Sequence, residues 1–210
     1  PRLPAAGVYG TAAAVVLVLC GLSARQASLW RDPIALFSRT LEVNPDSGAA
    51  HRSLAGHFDF LGRPADALPH ARRAAEIHPW DMRVWEYLGR VCQELGRWDE
   101  AAAAYRRAIA VLDAGGVGSA DGDPDPHTPL GIALAQGGHP AEAEAALLDA
   151  VRRHPGAVAA RQSLGTFYLR QGRPDLALPQ YEAAQRLRPD SPTFQRAVRD
   201  LRAGAGQTPP

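Results

Sequence analysis

The residues of this chain that could do chemistry are seven histidines, two cysteines and a matched pair of serines, and their spacing organises none of them into a reaction centre. His51 and His57 are six residues apart, off the i, i+4 spacing that lets one helical face hold a metal ion. His78 and His154 each stand just before a proline, a coincidence of register. Ser53 and Ser163 occupy equivalent places in a repeated pattern and no glycine-flanked elbow surrounds either, so packing or groove lining accounts for them better than nucleophilic attack. There is no GxGxxG or Walker sequence to cradle a phosphate. The run "DGDPD" at 121–125 starts like a calcium loop, but Pro126 takes the place of the required glycine and no glutamate closes it. Cys20 lies in an apolar run and Cys92 at a periodic core position, which is not a disulfide framework. The chain therefore predicts no catalytic residue, no cofactor, no metal and no evident small-molecule substrate. Any enzymatic role would belong to a larger protein of which this segment is a non-catalytic part.

Charge excludes a further class. The 23 basic side chains are all arginine and nearly cancel 22 acidic ones, leaving a formal net charge of +1. Nucleic-acid binders show a basic excess and a basic stripe, so none is expected as a partner. The lack of lysine, with abundant Ala, Arg, Gly and Pro, reads as a GC-rich coding bias.

The elements that would have to position any site are written four times. "GRPADALPHARRAAEIHP" at 62–79 returns as "GRWDEAAAAYRRAIAVLD" at 96, "GHPAEAEAALLDAVRRHP" at 138 and "GRPDLALPQYEAAQRLRP" at 172. The glycine intervals are 34, 42 and 34 residues, and Leu54, Leu88, Leu130 and Leu164 keep the same spacing. Gly62, Gly96, Gly138 and Gly172 suit a tight turn between two helices, where positive φ costs glycine little. Pro64, Pro140 and Pro174 suit a first helical turn, and Pro79, Pro155 and Pro189 end the second helix. Small residues such as Gly89, Ala101 and Ala108 let paired helices approach, with Leu88, Cys92 and Tyr105 filling the space around them. A unit alone leaves an apolar face open, so stacking stabilises the array.

A 34-residue period with two helices per unit resembles the tetratricopeptide repeat (TPR) family over residues 48–190. The second unit offers Trp85, Leu88, Gly89, Cys92, Gly96, Ala101, Tyr105 and Ala108 at the signature positions, and the fourth offers Leu164, Gly165, Tyr168, Gly172, Ala177, Tyr181, Ala184 and Pro189. The resemblance implies an all-α fold, a right-handed superhelical array of antiparallel helix pairs, with units at 48–81, 82–123, 124–157 and 158–190. It also implies a concave groove that holds a protein or peptide partner. By that resemblance Arg52, Asp59, Arg83, Glu86, Arg90, Gln93, Gln162, Thr166 and Arg170 point into it. Arginine forks onto carboxylates and amides bind an extended backbone. The Lys/Asn clamp that some relatives use for acidic C-terminal tails is missing.

Two departures from the pattern carry expectations. Pro69 and Pro179 fall inside second helices and predict a local kink or a late helix start. The eight extra residues between units two and three make 113–126 a solvated surface loop. Flanking the units, residues 26–47 read as an N-terminal half-repeat, 191–203 as a capping helix and 204–210 as a disordered tail.

From Leu3 to Ala24 no side chain is charged, and about 20 apolar residues span a bilayer as a helix, so residues 1–25 are expected to form a transmembrane helix, making the membrane a further partner. The junction at residues 5–62 is similar to the last span and first repeats of polytopic membrane glycosyltransferases of the O-mannosyltransferase type. That similarity implies an extracytoplasmic array and carries over no catalytic residue; the arginines after the span favour the opposite side. The leading expectation is a membrane-tethered, non-catalytic scaffold. Its alternatives are the acceptor-positioning tail of such a glycosyltransferase, or a soluble or secreted adaptor whose apolar start is removed.

Overall fold

The computed structural model describes residues 15–21, 32–117 and 125–205. Its longer helices are α1 Pro33–Val43, α2 Gly48–Phe60, α3 Pro64–Ile77, α4 Met82–Glu94, α5 Trp98–Asp113, α6 His127–Gln136, α7 Pro140–Arg153, α8 Val158–Arg170, α9 Pro174–Leu187 and α10 Pro192–Ala205. Among the described residues there is no strand, only one isolated bridge between Asp81 and Val117.

Local chemistry sets the helix ends. Asp32 caps α1 by accepting from the amides of Ile34 (2.9 Å) and Ala35 (3.3 Å), and Ser47 caps α2 by accepting from Ala50 (3.3 Å). Pro33, Pro140 and Pro174 occupy first helical turns, where the missing amide costs nothing. The turn between α4 and α5 shows why glycine recurs there. Gly96 takes φ 69°, its amide donates to Gln93 O (3.0 Å), and the Arg97 amide donates to Cys92 O (2.9 Å). This left-handed cap satisfies two carbonyls that the helix end would leave bare. At the other ends, His154 and Arg188 precede prolines and leave the helical region, with ψ of 75° and 78°, because a proline disfavours helical geometry in the residue before it.

The chain divides into two compact units, Pro1–Ile77 and His78–Pro210. In the first, α2 packs on α1 and α3, burying Ala50, Leu54, Ala55, Ala67, Leu68 and Ala71. In the second, α4/α5, α6/α7 and α8/α9 form pairs, and the second helix of one pair packs on the first helix of the next. Close approach within pairs is set by size matching. A Cβ placed on Gly89 would stand 2.7 Å from the Tyr105 ring, on Gly131 2.5 Å from Leu147, and on Gly165 2.8 Å from Tyr181. Helix α10 covers α9 with buried Phe194 and Val198.

Four expectations change. Among the described residues no helix is long and apolar enough to cross a membrane. Residues 15–21 are helical, about 10 Å of helix against the roughly 30 Å of a bilayer core, and the remainder of the span expected over Leu3–Ala24 lies outside the described residues. The membrane-anchored placement rested on that span and is withdrawn, and with it the extracytoplasmic side. Secondly, of the kink or late start expected, the late start is absent: α3 and α9 start at Pro64 and Pro174 and run through Pro69 and Pro179. Both interior rings are exposed, as are Ala65 and Asp175, whose carbonyls lack the usual amide, so water can serve them. Thirdly, the insertion is not simply solvated. The Val117 amide donates to Trp80 O (3.1 Å), the Met82 amide donates to Val117 O (2.9 Å), and at the far end Pro126 and His127 are buried. Residues 118–124 lie outside the described residues. Finally, α10 continues through Gly204 and Ala205, into the stretch expected to be disordered, and 206–210 are not described.

Candidate functional site

Within the second unit, α4, α6 and α8 are the first helices of their pairs and line two cavities. The first, about 660 Å3, is bordered by Arg83, Glu86, Arg90 and Gln93 of α4, with Tyr87 and, from α6, Pro129. The second, about 350 Å3, lies between α6 and α8, with Ile132, Ala135 and Gln136 facing Gln162, Thr166 and Arg170. Seven of the nine residues expected in a groove thus border these two cavities. Arg52, exposed, and Asp59, half-buried, lie on α2 in the first unit.

Most polar groups of the α4 cavity are engaged within the fold. Asp81 is 7% exposed and caps α4 by accepting from the Arg83 amide (3.0 Å); the Arg83 guanidinium folds back onto the same carboxylate through Nε (3.0 Å) and Nη2 (3.1 Å). Arg90 donates to Glu94 (2.8 Å) and covers the Tyr87 ring at 4.8 Å. The Tyr105 hydroxyl donates to Gln93 Oε1 (3.0 Å). Burial, aided by the Glu86 charge, pushes the Tyr105 phenol far above its ordinary value, so it remains a donor.

The α6/α8 cavity differs. Helix α6 carries no acidic residue and no arginine, and it lines the cavity with aliphatic Ile132 and Ala135 and the amide of Gln136. Thr166 shares a hydrogen bond with the Tyr181 hydroxyl (2.9 Å). Gln136, Gln162, Ser163 and Arg170 make no side-chain hydrogen bond or ion pair with another described residue. They surround a floor of Ile132, Ala135, Leu147, Ala159 and Phe167. Such a site holds an apolar side chain while offering amide and guanidinium groups to a neighbouring backbone or carboxylate. Ile132, Ala135 and Gln136 were not among the residues singled out from sequence. They sit in register with Arg90, Gln93 and Glu94, 42 residues on, so the period itself was the signal; a search weighted toward charged side chains passes over them.

Three of the histidines are held in contacts within the fold. His127 is 3% exposed between Asp125 and Asp149, and His51 Nδ1 lies 3.0 Å from His70 Nδ1 with His51 Nε2 donating to Pro45 O (3.0 Å). Burial, with the charge of His51 adding to it, lowers the His70 imidazole. Among the described residues no group of three or more His, Cys, Asp or Glu side chains is arranged to hold a metal ion.

A family model described as "Tetratricopeptide repeat" matches residues 21–79, 57–117 and 128–192. The small glutamine-rich tetratricopeptide repeat-containing protein 2 of Mycosarcoma maydis is 28% identical over 91 residues, 43% of this chain and 26% of the relative, so the matched region spans about a quarter of that protein. Among solved structures, MamA is 21% identical with TM-score 0.64, covering 78% of this chain and 91% of its own. YrrB, described as a TPR protein with an unusual peptide-binding site, is 20% identical with TM-score 0.59, over 81% and 84%. A thermophilic TPR protein of Thermus thermophilus is 22% identical with TM-score 0.59, over 88% and 96%. At these identities the structural likeness speaks to fold. None of these proteins is described as a glycosyltransferase, and the similarity drawn from residues 5–62 is left without support.

Proposed function

Since the chain belongs to the tetratricopeptide repeat family, we propose that it is a non-catalytic scaffold that holds an extended peptide of a protein partner along the α4, α6 and α8 cavities. The observation that carries this reading is the α6/α8 cavity. Four polar side chains without partners among the described residues surround an aliphatic floor, a combination that favours a peptide over a polar metabolite. The α4 cavity extends the same surface, with its arginines held in fixed positions by Asp81 and Glu94. The peptide-binding site for which YrrB is described is consistent with this use of the fold.

Peptide-display selection against the full chain, followed by calorimetry on the enriched peptides, tests the reading. Ala135→Trp fills the cavity and Gln162→Ala removes an amide; each is expected to weaken the selected peptides about tenfold or more. Unchanged affinity in both variants, with circular dichroism intact, would place binding elsewhere.

A further inference from the structure

The insertion that breaks the repeat period builds a third cavity, which shares no lining residue with the two described above. Beyond Asp113 the chain turns through Gly115 at φ 72°, the Gly116 amide donates to Val111 O (2.9 Å), and Val117 bridges to Trp80 and Met82. Position 116 has no room for a side chain: a Cβ would meet Val111 Cγ1 at 2.4 Å and Trp80 O at 2.8 Å. The result is a cleft of about 340 Å3 walled by Pro79, Trp80, Trp85, Val111 and Gly116, with Arg107 at its border. The Trp85 indole is fixed in place by donating to Pro79 O (3.0 Å). Trp80 is 59% exposed and Val117 48%. An indole that open beside an exposed aliphatic residue costs free energy unless something covers it.

The lining selects the occupant. Indole faces and aliphatic carbons offer little hydrogen bonding, but they pack well against prolyl rings, and a polyproline segment arrives already extended, losing little entropy. Arg107 is exposed and makes no ion pair or hydrogen bond with another described residue, and a guanidinium so placed suits a carboxylate of an incoming segment. The volume suits a short extended segment better than a helix. We propose that the Trp80/Trp85 cleft is a second docking site, which takes a proline-containing segment of a partner protein with an acidic residue set against Arg107.

The test uses the full chain and the peptide acetyl-Pro-Pro-Glu-Pro-amide, with a matched peptide carrying Lys for Glu. Saturable calorimetric binding is expected for the first and not the second, accompanied by a change in tryptophan emission. Trp80→Ala or Arg107→Glu should weaken binding about tenfold or more, and both residues are exposed enough for the variants to fold, as circular dichroism will show. Arg170→Gln, in the α6/α8 cavity, should leave it unchanged. The proposal is overturned by absence of saturable binding at millimolar peptide, by equal binding of the Lys peptide, or by affinity indifferent to both cleft variants. Equal loss in Arg170→Gln would put the peptide in the groove instead. Concentration-dependent dimerisation that Trp80→Ala abolishes would make a second copy the occupant, and would also overturn it.

Discussion

His127 Nε2 stands 3.2 Å from Asp149 Oδ2, joining the first residue of α6 to the last turns of α7. The other ring nitrogen lies 2.7 Å from Asp125 Oδ1, so a nearly inaccessible imidazole sits between two carboxylates. Asp149 also accepts from Arg152 and Arg153, and Arg153 reaches Asp113 at 3.4 Å. Asp113 and Asp125, one at each end of the insertion, are thereby tied to one helix.

Replacing His127 by Leu should leave both carboxylates short of a partner and cost about 2 kcal/mol, since hydrogen bonds to charged groups contribute on that order. His127→Asn, which keeps one donor, should cost less. Thermal denaturation followed by circular dichroism reads the difference; equal melting of wild type and the Leu variant would show that the network contributes nothing.

The same network sets an acid dependence. For Asp125, burial pushes the carboxyl up, but the hydrogen bonds from the His127 side chain and amide outweigh it and hold it below the ordinary 3.8. For Asp149, the Arg152 hydrogen bond leads; burial opposes it, and Arg153 helps keep the carboxyl low. A carboxyl depressed in the folded state contributes stability that is full above its unfolded value and lost as pH falls through the folded one. Urea midpoints should therefore fall below about pH 4, and fall less steeply in Asp149→Asn. A variant with the same acid slope as wild type would refute the assignment.

Gly89→Ala should cost about 1–3 kcal/mol by forcing a methyl into the Tyr105 ring. The cost should shrink in a Tyr105→Ala background, because the three atoms nearest that methyl all belong to the Tyr105 ring. The first unit already shows that solution, with buried Ala55 and Ala71 at the registers of Gly89 and Tyr105. A double-mutant cycle measures the coupling, and additive effects would contradict it.

Arg83→Glu and Arg170→Glu should part company. At position 83 the new carboxylate would face buried Asp81 and disturb the α4 cap, lowering the melting temperature. At position 170 the exposed side chain has no partner among the described residues, so stability should hold while peptide affinity drops. Charge reversal at Arg83 and Arg90 together is consequently a poor groove probe, although sequence position alone recommends it. Matching melting curves for wild type and Arg83→Glu would overturn this reading of Asp81.

The repeated text by itself determined the helix pairs, their glycine turns, their proline ends and the small residues between them. Each of these is a local constraint: a φ value, a missing amide, or an apolar face recurring along one helix, all decided within a few residues of chain. Tertiary structure alone decided which arginines are engaged by partners among the described residues. Arg90 meets its partner within one turn, but Arg83 is held by a carboxylate that folding buries, and that burial is not written in the spacing. It also decided that the aperiodic insertion is fastened at both ends, since Val117 meets Trp80 and His127 meets Asp149 across 37 and 22 residues of chain. Contacts between segments so far apart obey no repeat, so the period that reveals the fold is silent about them.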